Sequence, residues 1–334
     1  MNVLVTGGTG FLGERLAMRL ISMGYGVTVV GRNKIKGKEL EKLGINFIPL
    51  DLADQEKTIA VCKNQSYIFH CAALSSPWGR YKDFYASNVL STKNLIMGIK
   101  KWNVKRLVHV STPSIYFDYT DRLNIPENSP LPKDSVNFYA QTKLMAEKEI
   151  DKAYKDGLEV ISIRPRALFG PGDTTILPRL IRANNKRFIP LINEGKAVVD
   201  VTYVENVVDA LLLCMDSDEN TLGQKYNITN GEPMMLIELL QKLFDKLNVA
   251  LRGKNISFEK AYRFAGILEF ISKYLLLGKE PTLTQYSVGV LAKSQTLDIQ
   301  KARKELRYKP RISIDEGLEY FVDWLKGDGS WVLK

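Results

Sequence analysis

An α/β fold is predicted, a doubly wound parallel sheet followed by a smaller, mostly helical C-terminal unit, and three observations predict it. The first 170 residues alternate short apolar, β-branched runs with helical patterns. A glycine-rich loop, Gly7-Gly8-Thr9-Gly10, separates the first such pair. From about residue 233 onward, helical spacing dominates. A chain of 334 residues is too long for one small core and suits one large domain plus a lesser one. The expected boundaries are 1–170 for the sheet domain, with a return segment near 197–228, and 171–196 with 229–334 for the second domain.

Residues 2–6, Asn-Val-Leu-Val-Thr, form the first expected strand, and a helical pattern covers 11–23. A second strand at 27–30 precedes a charged helix at 36–43, a third strand spans 46–50 and a fourth 67–70. Helices are expected at 81–101 and 136–154, with strands at 106–111 and 159–163. This spacing gives right-handed βαβ units and a parallel sheet of the Rossmann type. Residues 113–135 hold Pro113, Pro126, Pro130 and Pro132, and are expected to be a functional loop without regular structure. A strand pattern returns at 197–204.

The composition is that of a globular protein, 45% hydrophobic and 25% charged. Its 47 Lys and Arg are interspersed with 37 acids and form no long basic run, so the net charge of +10 favours solubility and anionic ligands over nucleic acid. Cys62, Cys71 and Cys214 lie far apart, which suggests neither disulfides nor a metal site and fits a reducing cytoplasm. The opening residues lack the pattern of a secretory leader. The most apolar stretch, 261–277, is interrupted by Arg263, Glu269 and Lys273, so it is not expected to cross a membrane; with 258–260 it is apolar on more than one helical face. It reads as a buried helix, a lid over a lipid-like ligand, or a weak membrane-surface contact.

The glycine loop follows a strand and opens a helix, the context that makes such a loop a nucleotide site. Gly7 and Gly10 let the backbone approach a pyrophosphate, Gly13 lets helix and strand pack closely, and the helix start at Phe11 and Leu12 offers free N–H groups. After the second strand, Gly31-Arg32-Asn33-Lys34 has no carboxylate for a ribose 2′-hydroxyl, whereas Arg32 can hold a 2′-phosphate. NADP(H) is therefore favoured and NAD(H) remains possible. Asp51 and Leu52 can hold an adenine by its amino group and face, although Asp51 also suits a helix cap. Cys71, Ala72 and Ala73 are small where the chain passes a cofactor; His70 and His109 read as packed strand residues.

Tyr139 and Lys143 stand four apart on an expected helix of about 3.6 residues per turn, hence on one face. Bringing a phenol from a pKa of ~10 to about 7 takes roughly 4 kcal/mol. An ammonium ~4 Å away at an effective dielectric of ~20 supplies about that much. Tyr139 can then exchange a proton near neutral pH, as interconversion of a carbonyl and an alcohol requires.

Thr6 to Gly13, Asp51-Leu52, Cys71 to Ala73, Asn88, Ser111-Thr112, Tyr139 to Lys143 and Arg164 to Gly172 occur in an order and spacing that resemble the extended short-chain dehydrogenases/reductases, within them the 3-beta-hydroxysteroid dehydrogenase-like branch. Further stretches, among them Val199 to Asn206, Asn230 to Pro233 and Glu280 to Thr284, resemble reductases of 2-alkyl-3-oxo acids. The resemblance implies Tyr139 as acid/base and Lys143 as holder of the nicotinamide ribose. It also implies Thr112, four residues before Tyr116, as the carbonyl-orienting hydroxyl in preference to Ser111. It further implies that the backbone of 164–168, with Pro165 and Ala167, faces the nicotinamide. Asn88 would tie the central helix to the strand carrying Thr112, and helices 81–101 and 136–154 would form a homodimer interface.

The expected activity is NADPH-dependent reduction of a ketone in an apolar, 2-alkyl-3-oxo acid-like substrate. The alternatives are an NAD-dependent 3-beta-hydroxysteroid-type dehydrogenase, a sugar-nucleotide epimerase or dehydratase, and, more remotely, a non-catalytic NADP sensor. Val199 stands before Asp200 where relatives acting on sugar nucleotides often carry arginine, which weakens the sugar reading, though Arg179, Arg182 or Arg187 could substitute. A sensor would not need Thr112, Tyr139 and Lys143 together.

Overall fold

A computed structural model describes residues 1–276 and 278–327; Leu277 and residues 328–334, which the readings above include, lie outside the described residues. In the first half, β1 (Asn2–Thr6), α1 (Phe11–Ser22), β2 (Gly26–Gly31), α2 (Lys34–Glu41), β3 (Asn46–Pro49), α3 (Gln55–Val61) and β4 (Tyr67–His70) alternate as expected. Then come α4 (Tyr81–Phe84), a π-helical segment (Tyr85–Leu90), α5 (Ser91–Trp102), β5 (Arg106–Val110), β6 (Arg122–Ile125), α6 (Phe138–Lys155), β7 (Val160–Pro165) and β8 (Leu168–Phe169). The second half comprises α7 (Leu177–Lys186), β9 (Ile189–Ile192), β10 (Val198–Val199), β11 (Thr202–Tyr203), α8 (Val204–Asp216) and β12 (Lys225–Ile228). It continues with β13 (Met234–Met235), α9 (Leu236–Lys246), β14 (Gly253–Ile256), α10 (Phe258–Leu275), α11 (Gln285–Ala292), β15 (Gln295–Leu297), α12 (Gln300–Glu305) and α13 (Ile314–Gly327).

Seven strands form one parallel sheet in the order β12-β7-β5-β4-β1-β2-β3. Strand alternation decides its two faces. Val3, Val5, Val29, Val108 and Ile163 pack on one side with Leu16 and Leu20 of α1 and Val207 and Leu211 of α8. Leu4, Ile68 and Leu107 pack on the other side with Leu95 and Ile99 of α5 and Ile150 of α6. Burial on both faces is what allows a parallel sheet. Strand order reverses between β1 and β4, and such a reversal opens a crevice at the carboxyl ends of the strands.

Four expectations need correction. Residues 113–135 are not free of regular structure: Pro113–Tyr116 is a 3-10 turn and β6 pairs in parallel with β15. The strand expected at 197–204 is split between two small sheets, because Val204 already begins α8. The helix expected at 81–101 contains the π segment. α10 does not bury its large side chains: it packs on α11 through Ala261 and Ala265, while Phe264, Ile267, Phe270 and Tyr274 stand 56 to 63% exposed. Tyr262 and Phe258 of the same helix are half-buried against this cluster, and Tyr262 meets Tyr119 edge-on at 5.7 Å. A separate apolar cluster unites α9 and α13 through Leu240, Phe244, Leu318 and Phe321.

Candidate active site

At the strand-order reversal lies a cavity of about 320 Å³ lined by Gly7, Gly10, Arg32, Asp51, Leu52, Cys71, Ala72 and Ala73. Eight of the residues singled out for a cofactor thus converge, from four loops far apart in sequence. Gly7 has φ 69°, and a Cβ there would meet the Ala72 nitrogen at 2.7 Å, so no other residue fits. A Cβ on Gly13 would come within 2.4 Å of the Gly7 carbonyl oxygen, so this glycine sets how closely α1 approaches the loop. Phe11 and Leu12 begin α1. The glutamate of the first turn, Glu14, is paired with Lys36 at 2.9 Å. Arg32 is exposed at the cavity wall, and Asn33, rather than a carboxylate, caps α2 by accepting from the Ile35 and Lys36 amides. Asp51 accepts from the Ala53 amide at 3.0 Å, while Asp54 is the residue that caps α3. These residues fit a dinucleotide: a tight glycine cradle, a helix start, an acid and a base at the far wall.

α6 carries Tyr139 and Lys143. Asn137 caps its start, accepting from the Ala140 amide at 2.8 Å. Lys143 is 1% exposed, donates to the Val110 carbonyl at 2.7 Å and lies 3.4 Å from His109 Nε2; no hydrogen bond joins it to the Tyr139 hydroxyl. Burial pushes its pKa down to about 8, against the opposing pull of the Glu147 carboxylate. Burial likewise, helped by the Lys143 charge, holds His70 down to about 3 and His109 well below the usual histidine range. His70 is bonded to Thr6 at 2.8 Å and Thr92 at 3.0 Å, so both histidines are neutral packing elements, as expected.

Thr112, 5% exposed, lies two residues beyond β5 and caps the 3-10 turn, accepting from the Ser114 amide at 3.2 Å. Its hydroxyl donates to Ser114 Oγ at 3.0 Å, and Ser114 Oγ in turn meets the Tyr286 hydroxyl at 3.0 Å. Ser114 and Tyr286 were not singled out. Their pairing spans 172 residues and carries no local signal. Tyr286 is held edge-on by Phe117, with centroids 5.8 Å apart at 89°. It also faces a second cavity of about 800 Å³ between Trp78, Phe84, Tyr119, Phe138, Gln141 and Glu269.

Pro165 is buried at the end of β7, and Ala167 follows with φ 43°, a left-handed conformation that a non-glycine residue adopts at a cost. Asn88 does not reach the strand carrying Thr112. Its amide exchanges hydrogen bonds with Leu74 at 2.7 and 3.3 Å and donates to Thr142 at 3.0 Å, so it ties the π segment to the loop after β4 and to α6. The extra residue of a π turn rotates Asn88 to that position.

The description "NAD dependent epimerase/dehydratase family" matches residues 3–229. Among curated relatives, YbjS of Escherichia coli, itself uncharacterized, is 36% identical over 98% of this chain and 99% of its own. A 2-alkyl-3-oxoalkanoate reductase of Stenotrophomonas maltophilia is 33% identical over 95% and 97%, and a decarboxylating sterol-4-alpha-carboxylate 3-dehydrogenase of Mus musculus 30% identical over 95% and 89%. The crystal structure of UDP-glucuronic acid 4-epimerase from Bacillus cereus with NAD superposes with a TM-score of 0.78, covering 98% of this chain and 99% of that one; at 20% identity it speaks to the fold alone. Fold and site define an NAD(P)-dependent oxidoreductase working on CH–OH and C=O groups. The chain belongs to the NAD-dependent epimerase/dehydratase family of extended short-chain dehydrogenases/reductases, as its motif order predicts.

Proposed function

We propose that this enzyme uses NADPH to reduce the ketone of an apolar 2-alkyl-3-oxo acid. The observation that carries the reading is the hydroxyl chain Thr112–Ser114–Tyr286, which joins the end of β5 to an aromatic-walled cavity beside the start of α6. Residues 1–170 with 197–228 hold the cofactor, and 171–196 with 229–334 supply the substrate side. Gly7, Gly10 and Gly13 with the start of α1 receive the pyrophosphate, Asp51 and Leu52 the adenine, and Arg32 a 2′-phosphate. The reduced nicotinamide, when bound beside Pro165 and Ala167, supplies a hydride. Tyr139 donates the proton to the oxygen that becomes the alcohol, Thr112 hydrogen-bonds that same oxygen, and the Lys143 ammonium favours the phenolate left behind.

The exposed apolar side of α10 supports a lipid-like substrate and weak attachment to a membrane surface, with Lys260, Arg263 and Lys273 on the same helix. Among the described residues no helix is long and apolar enough to cross a membrane. Met97 of α5 and Phe138 and Tyr154 of α6 are exposed, which supports a homodimer through these helices. A cytoplasmic location fits the three free cysteines. The test is NADPH oxidation with a panel of 2-alkyl-3-oxo acids, steroids and sugar nucleotides. Turnover confined to sugar nucleotides overturns the reading, and turnover of steroids alone favours the dehydrogenase alternative.

A further inference from the structure

Arg164 lies in β7 and Arg166 just beyond its end, and the two buried guanidinium groups meet different neighbours. Arg164 uses its Nε and Nη2, the edge that grips a carboxylate with two parallel bonds, on Glu147 of α6 at 2.8 and 2.6 Å. Arg166 is 8% exposed, and its Nε, one half of the same edge, is buried without an acceptor among the described residues. Its Nη1 donates to Gln295 Oε1. That contact turns the Gln295 amide so that its Nε2 is also left buried without a partner. Asp200 acts on Arg166 only through space, its carboxylate being held by the Leu297 amide at 2.7 Å.

A buried guanidinium without a bonded counter-charge is costly, and two adjacent buried donors without acceptors add to the cost. Such a group marks a place for an anion. It lies within electrostatic reach of Tyr286, whose hydroxyl closes the chain to Thr112. We propose that Arg166, with the Gln295 amide beside it, receives the carboxylate of the substrate and so selects acids over their neutral counterparts. This rests on the reductase reading and names the group that selects within it.

The test compares a stable 2-alkyl-3-hydroxy acid with its methyl ester, oxidised with NADP, so that reaction at carbon 3 is common to both. Wild type is expected to prefer the acid by about 100-fold in kcat/KM, and Arg166→Met to abolish that preference, with Arg166→Lys restoring part of it. A second measurement uses the unaltered protein: the acid raises the unfolding temperature at concentrations where the matching primary amide does not. Equal use of acid and ester by wild type, or an unchanged preference in Arg166→Met, overturns the assignment while leaving the reductase reading intact. Failure to oxidise or reduce either compound overturns that reading instead.

Discussion

The glycine-loop side of the molecule and the α10 side handle their surfaces in opposite ways. Around β1, β4 and β5, polar groups are buried in pairs: His70 between Thr6 and Thr92, Asn88 between Leu74 and Thr142, Arg164 on Glu147. Around α10, apolar groups are left in water and Glu269 and Lys273 border the cavity. The first side is preorganised, which is what a fixed cofactor and a proton transfer need. The second is open, which suits a substrate whose apolar bulk matters more than its detailed shape.

The strongest way to break this contrast is at the preorganised side. Tyr139→Phe is expected to lower kcat by at least about 10³-fold while NADPH binding, followed by nucleotide fluorescence, stays within about twofold. A variant that keeps full turnover removes Tyr139 from the mechanism.

Lys143→Met tests the same side through stability. The Lys143 pKa is about 8 when folded, below the ordinary lysine value of 10.5. Between those values the unfolded chain binds more protons than the folded one, so this group makes stability rise with pH across that window. Below about pH 8 the whole penalty, on the order of 3 kcal/mol, is present. Lys143→Met should therefore be inactive yet more stable than wild type at pH 7, with the gap closing toward pH 10 in urea titrations. Equal stability at every pH contradicts the burial cost.

A smaller effect is expected at the rim of the first cavity. Arg32→Ser should weaken NADPH about tenfold and NADH far less, as read by titration of nucleotide fluorescence. Loss of both affinities together would mean that Arg32 does not distinguish the two. The smallest effect is expected on the open side, where replacing Phe264 and Phe270 with Ser should cut sedimentation with anionic vesicles a few-fold without changing turnover of a short-chain ketone. Undiminished sedimentation would leave α10 with another role.

Legibility in the sequence follows the same contrast. That the glycine loop opens a helix after β1 and that Tyr139 and Lys143 share α6 could be read because each depends on local spacing. Ser114 meeting Tyr286 depends on how α11 folds back, and the β6–β15 pairing joins segments of only four and three residues, too short for a pattern to mark. The π segment changes register without changing composition, so Asn88 was expected at the wrong partner. For α10 the pattern revealed an apolar helix but not what covers it, since Phe264 in a core and Phe264 in water have the same periodicity. Arg166 could not be told from Arg164 in sequence, because only the packing of α6 on the sheet brings Glu147 to Arg164, at 2.6 Å, and leaves the Nε of Arg166 without a partner among the described residues.

The Trp78 indole N–H donates to the Gly278 carbonyl at 3.0 Å, an exposed bond that joins the loop after β4 to the segment after α10, and both residues border the second cavity. A bond of this kind contributes only about 0.5–1.5 kcal/mol, so thermal motion breaks it often without unfolding either segment. The mouth of the second cavity would then be less selective than its interior, where Phe84 and Tyr119 form the wall.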